Sequence, residues 1–207
     1  MQDLVNIVNQ IRVLSAESQI ALSKKYSMQP GDPPFGAFAM CNQQSIIALE
    51  LLSYYLNVWS KVSSSSLPDP DQTRQENAER VVTLTKAMFV FSVSGMEFDA
   101  KNAIKAFPTK IPPISGRIYL RRIISQSAKA KLITSTDEEM WEGAIETRNI
   151  IVHNNGISEV TKEYSYPNGL KISLNAGKMT RGNLKFFAEL THWTVQAYSN
   201  WCQAFLG

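Results

Sequence analysis

The chain has 207 residues, enough for one sizeable core and a single domain. A hydrophobic content of 44% is that of a globular protein, and a net charge of +3 permits nucleic-acid binding without demanding it. Two cysteines and two histidines, far apart, offer no zinc-ligand spacing; no close acidic constellation suggests another metal, and no cofactor motif appears.

Cys41 and Cys202 sit in apolar helical patterns and read as buried thiols of a reducing compartment. The N-terminus lacks the charged and apolar regions of a signal peptide. No uninterrupted apolar run reaches the ~18 residues of a membrane span. These features lead us to expect a soluble cytoplasmic protein with no membrane attachment.

Helical periodicity dominates the chain and predicts an all-α bundle. Leu4, Ile7, Val8, Ile11, Leu14, Ile20 and Leu22 place an amphipathic helix over residues 2–27, which Pro30-Gly31-Asp32-Pro33-Pro34 ends. A second helix is expected over residues 37–62. Residues 63–72, with a serine run and two prolines, read as a mobile, replaceable linker. A long helix over residues 74–106 is apolar on most sides and should be central. Within it Glu97 stands between Met96 and Phe98, placed to pair with a buried cation or to orient a functional one. Residues 107–115 hold three prolines and form a loop.

A basic helix follows over residues 116–132. Arg117, Arg121 and Arg122 stand in it without an intervening acid, either as a solvated face or as contacts for RNA phosphates. Thr136 is taken as the cap of the next helix, with Glu138 and Glu139 in its first turn. That helix carries Trp141, Ile145, Ile150 and Ile151, and ends near His153, before Asn154-Asn155-Gly156. Residues 157–177 alternate polar and apolar positions around Pro167-Asn168-Gly169, as a small β-hairpin or an irregular loop would. A last helix is expected over residues 180–205, striped by Leu184, Phe187, Leu190, Thr194, Trp201 and Phe205. His192 lies in it and reads as structural.

Arg148-Asn149-Ile150-Ile151-Val152-His153 carries the functional argument. A histidine can move a proton near neutral pH, and an arginine can stabilise charge that builds on a phosphate. Positions five apart diverge by roughly 140° around a helix, so the pair would not share one face unless the last turn frays or a second chain contributes. The bland alternative pairs Arg148 with Glu146 or Glu142 and leaves His153 at a helix C-terminus, where a cation is favoured.

The string from Glu146 to Ile157 resembles the signature of the HEPN superfamily: an Arg followed by a polar residue, then four to six residues to a His, at the end of a core helix. Arg148, Asn149 and His153 match it residue by residue, and the helical layout extends the resemblance over roughly residues 74–206. It implies a HEPN-type core at residues 74–207 behind a helical extension at 1–62, and a metal-independent endoribonuclease with Arg148, His153 and Asn149 as catalytic residues. It further implies a homodimer around a shared site, RNA as substrate, and a toxin or phage-defence role with an antitoxin partner. Some superfamily toxins carry a tyrosine two residues after the histidine, modified by a nucleotidyltransferase; Asn155 stands there, which puts that control in doubt. Other members are non-catalytic binding modules or regulatory subunits, the second reading for this chain.

Overall fold

The computed structural model describes residues 1–64, 70–167, 169–180 and 182–207. Six helices and one hairpin follow in chain order: α1 (Gln2–Lys25), α2 (Gly36–Ser64), α3 (Pro70–Ala106), α4 (Leu120–Lys129), α5 (Ser135–His153), β1 (Lys162–Ser165), β2 (Lys171–Leu174) and α6 (Phe186–Leu206). Helices α1, α2, α3 and α6 pack pairwise into a closed ring, with α4 and α5 laid against α3. The fold is an all-α bundle, and α1 and α2 supply half of its ring.

Bulky aromatics fill the interior. Trp141, Trp201, Tyr198, Phe35, Phe38, Phe89 and Phe205 are wholly buried. Phe38 meets Tyr198 with ring centroids 5.4 Å apart, and Phe89 meets Phe187 at 6.1 Å. Several polar ends of buried rings find partners, whereas Trp141 Nε1 is buried without one. Tyr198 Oη donates to Pro34 O at 3.0 Å, and Trp201 Nε1 to Ser127 Oγ at 2.9 Å, which ties α6 to α4. Tyr26 Oη donates to Gln203 O at 3.0 Å, closing α1 on α6. Burial pushes the Cys41 thiol up to about 12 and raises Cys202 well above the ordinary thiol range, so both are inert.

Among the described residues α3 alone is long and apolar enough, by length and composition, to cross a membrane, with a mean hydropathy of 1.3 over its most apolar window. Its contacts with α2, α4, α5 and α6 account for that composition: the central helix of a bundle needs apolar residues on most sides.

Several boundaries differ from expectation for local reasons. Helix continues into both ends of the expected linker, through Ser64 and from Pro70. Proline is suited to a first helical turn, and Asp71 pairs there with Arg74 at 3.1 Å. The rest of the linker, 65–69, lies outside the described residues. The basic helix is shorter than residues 116–132. Gly116 turns at φ +73, and Lys131 adopts φ +60 while Leu132 N–H returns to Ser127 O at 2.9 Å, a Schellman ending.

The cap of α5 is Thr134 rather than Thr136. Thr134 Oγ1 accepts from Asp137 N–H and the Asp137 carboxylate accepts from Thr134 N–H, both at 3.0 Å. This reciprocal box satisfies two otherwise orphaned donors. Helix α6 starts six residues later than expected. Thr180 N–H bonds Gly156 O at 2.8 Å and Met179 bridges Ile157, so the chain up to residue 180 is tied to the end of α5. The hairpin forms as an antiparallel pair, Lys162 opposite Leu174 and Ser165 opposite Lys171.

One buried carboxylate holds the ring's corner. Asp99 of α3 accepts from Ala37 N–H at the start of α2, and any side chain at Gly36 would strike it. Burial raises the Asp99 carboxyl above the usual range. The folded protein therefore binds this proton more tightly than the unfolded chain, and the charged form costs stability as pH rises from the ordinary to the raised value. Asp99→Asn keeps the acceptor and removes the charge. Urea unfolding across that acidic window should show the variant's stability relative to wild type increasing with pH; a constant difference would mean that Asp99 titrates normally.

Candidate functional site

Arg148 lies on the face of α5 that meets α3. Its side chain is one-fifth exposed. Nη1 donates to Asn149 Oδ1 at 2.9 Å and Nη2 to Ser94 Oγ at 3.1 Å. Glu97 Oε2 stands 4.0 Å from Nη2, while the other Glu97 oxygen holds Lys101 Nζ at 2.5 Å. The carboxylate is thus shared between two cations. Its grip on Arg148 is loose rather than two-pronged, and Arg148 Nε is buried without an acceptor. A guanidinium held this way keeps donors for an incoming anion. Glu146 pairs instead with Arg121, and Glu142 with Lys162 at 3.0 Å, so neither neighbour on α5 takes up Arg148.

His153 is the last residue of α5 and is exposed. Asn155 at φ +52 and Gly156 at φ +84 turn the chain sharply behind it, and Gly156 N–H returns to Ile150 O at 2.9 Å. The positive φ values explain why Asn and Gly occupy these positions.

A cavity of about 730 Å³ runs from α3 across α4 and α5 to the turn at Asn154. It exceeds the two clefts between α2 and α3, of about 450 and 400 Å³. Arg148, Asn149 and His153 line it, as do Arg117, Arg121, Arg122 and Glu97. All seven side chains singled out from the sequence thus meet in one place within one chain. The angular divergence of Arg148 and His153 is spanned by the breadth of the cavity.

Charge in the cavity is unevenly paired. Lys101, Arg117, Arg121, Arg122 and Arg148 face Glu97, Glu146 and Glu159. Arg121 is tied to Glu146, and Arg122 donates to Ser115 O. Arg117 makes no ion pair among the described residues; it lies over the Tyr119 ring, 5.1 Å from its centroid. An excess of cations in a concave site favours an anionic ligand. Among the described residues no three His, Cys, Asp or Glu side chains form a metal-holding group.

Ser94, Lys101, Tyr119 and Glu159 belong to this neighbourhood and were not singled out from the sequence. Lys101 four residues after Glu97 was a readable helical pair. Ser94 carries no local signal of its contact with Arg148, 54 residues away. His192 is not among the residues lining the cavity, and burial lowers its pKa.

Beside the site, α3 exposes Phe91 at 52% and Phe98 at 66%, two turns apart on one face. They border a cleft of about 400 Å³ with Met40 and Ser94, the serine that holds Arg148. Comparison of the chain with protein-family models, with curated proteins and with solved structures gives no match.

Proposed function

We propose that this chain is a metal-independent endoribonuclease of the HEPN type, with its working site completed by a second copy. The observation that carries the reading is the meeting of Arg148 and His153 in one cation-rich cavity, with Arg148 held by Asn149, Ser94 and Glu97 yet not saturated.

The RNA 2′-hydroxyl attacks the adjacent phosphorus, the 5′-oxygen leaves, and a 2′,3′-cyclic phosphate forms. One proton leaves the 2′-oxygen and one joins the 5′-oxygen. His153 transfers a proton, a role that typically contributes ~10²–10⁴-fold. Arg148 binds the phosphate and stabilises charge on its oxygens in the transition state. Asn149 orients Arg148, and Arg117, Arg121 and Arg122 hold flanking phosphates.

Two proton transfers call for an acid and a base, and each chain brings one histidine to the cavity. A second copy supplies the other. The exposed Phe91 and Phe98 beside Arg148 favour such a contact, because large apolar side chains grouped on a surface commonly mark an interface. The resemblance adds a toxin or phage-defence role, RNA of the cell or of a phage as target, and an antitoxin partner. The same apolar face supports the second reading, a non-catalytic module that binds a protein partner.

The test is incubation of the full chain with total RNA in EDTA, wild type against His153→Ala, with light scattering to read the oligomer. Cleavage by wild type alone, from a dimer, supports the proposal. Equal cleavage by both removes His153 from the mechanism. Absence of cleavage by folded wild type favours the binding module.

A further inference from the structure

Tyr119 precedes α4 in extended conformation, makes no capping bond with its side chain, and is 43% exposed. A tyrosine gains nothing for the core in that position. Its ring lines the same cavity as Arg148 and His153. Two cations attend it: Arg117 at 5.1 Å from the ring centroid and Lys101 Nζ at 5.7 Å. Lys101 in turn holds Glu97, and Glu97 faces Arg148. Tyr119 is therefore joined to the Arg148 cluster by consecutive side-chain contacts. The segment carrying it is restrained, because Arg122 donates back to Ser115 O across the Gly116 turn.

We propose that Tyr119 is a stacking platform for one unpaired nucleobase of single-stranded RNA, seated beside the phosphate that Arg148 binds. The inference rests on the RNA reading of the cavity and adds how the substrate is selected. An aromatic ring with cations lying over it matches the two parts of a nucleotide once a cation yields its place: the base stacks on the ring, and Lys101 and Arg117 meet the adjoining phosphate. Arg117 is exposed and can swing from the ring to the phosphate as the base arrives. Every base has a π-face, so the platform tolerates sequence. It rejects duplex RNA, whose bases are already stacked and paired.

The experiment uses the full chain carrying His153→Ala, so that RNA is bound and not cut. The probe is a short single-stranded RNA containing 2-aminopurine, whose fluorescence is quenched on stacking. Tyr119→Ala should weaken binding roughly 5- to 100-fold and remove the quench. Tyr119→Phe should retain both, because the ring remains. Tyr119→Leu, which keeps apolar bulk and fold but has no ring, should behave like alanine. Binding by Tyr119→Leu equal to the parent overturns the platform, and so does failure of the parent to bind single-stranded RNA or preference for a duplex of the same length. Failure of the nuclease reading looks different: wild type would bind RNA in a Tyr119-dependent way and leave it uncut.

Discussion

Arg148→Ala is expected to lower RNA cleavage by at least about 100-fold, the scale of removing one preorganised charge donor from a transition state. The fold should survive. Glu97 keeps Lys101 at 2.5 Å, so the deletion does not strand a carboxylate, and the buried neighbours Ile145 and Ile150 carry the packing of α5. Arg148→Lys should recover little. An ammonium is a point charge, whereas the guanidinium reaches Asn149 and Ser94 with separate nitrogens and still has donors to offer. Glu97→Gln should lose less than Arg148→Ala, since Ser94 and Asn149 still hold the guanidinium. Initial cleavage rates in chelator, with circular dichroism melts of each variant, decide it. Near wild-type cleavage by Arg148→Ala would remove the residue from the mechanism.

Gly143→Ala is expected to destabilise the protein, although alanine is normally the better helix residue by ~0.8–1 kcal/mol. A methyl at residue 143 would lie 2.7 Å from Tyr164 Cγ, 2.8 Å from Tyr166 Oη and 3.0 Å from Tyr164 Cβ. Neither ring can easily retreat. Tyr164 and Tyr166 are buried, Tyr166 Oη donates to Met140 O at 2.8 Å, and its ring meets Trp193 at 4.8 Å. Overpacking of this kind costs about 1–3 kcal/mol, which outweighs the helix gain at all but the low end. For a chain of this length each kcal/mol moves the midpoint by ~2–4 °C, so thermal melts should register a fall of several degrees. A rise in Tm would show that the hairpin does not rest on α5.

How far these features could be read from sequence depended on whether their cause was local. The end of α5 was legible because a helical apolar pattern stops at Asn154-Asn155-Gly156, and the backbone there does adopt the positive φ values that Asn and Gly favour. The hairpin was legible as one of two alternatives, from alternation around Pro167-Asn168-Gly169. The choice between Thr134 and Thr136 was harder, since both threonines have an acid three residues on; the box with Asp137 decides it. The start of α6 was misplaced because pairing of residues 156–158 with 177–180 is a tertiary fact with no helical signature. Arg148, His153 and the arginines of α4 could be named from residue type and spacing. Ser94 and Tyr119 could not, since only the packing of α3 and α4 against α5 brings them there. Phe91 and Phe98 were hidden within a helix apolar on most sides, where composition does not distinguish a core face from an exposed one.

The closed ring of α1, α2, α3 and α6 also constrains the order in which the protein can fold. Tyr26 reaches Gln203 across 177 positions, and Asp3 meets Lys185 across 182. Contacts of such sequence separation form late, because the entropy of closing the intervening loop must be lost before they return any energy. On the ribosome, α1 to α5 emerge while the seat of α6 is still empty, with Phe89 and Trp141 lacking their partners Phe187 and Trp193. The Arg148 cluster spans α3 and α5, and α3 lacks its α6 contacts until that helix docks. On the proposed nuclease reading, this order places the finished, fully packed site after the synthesis of α6, a delay in time built into the fold.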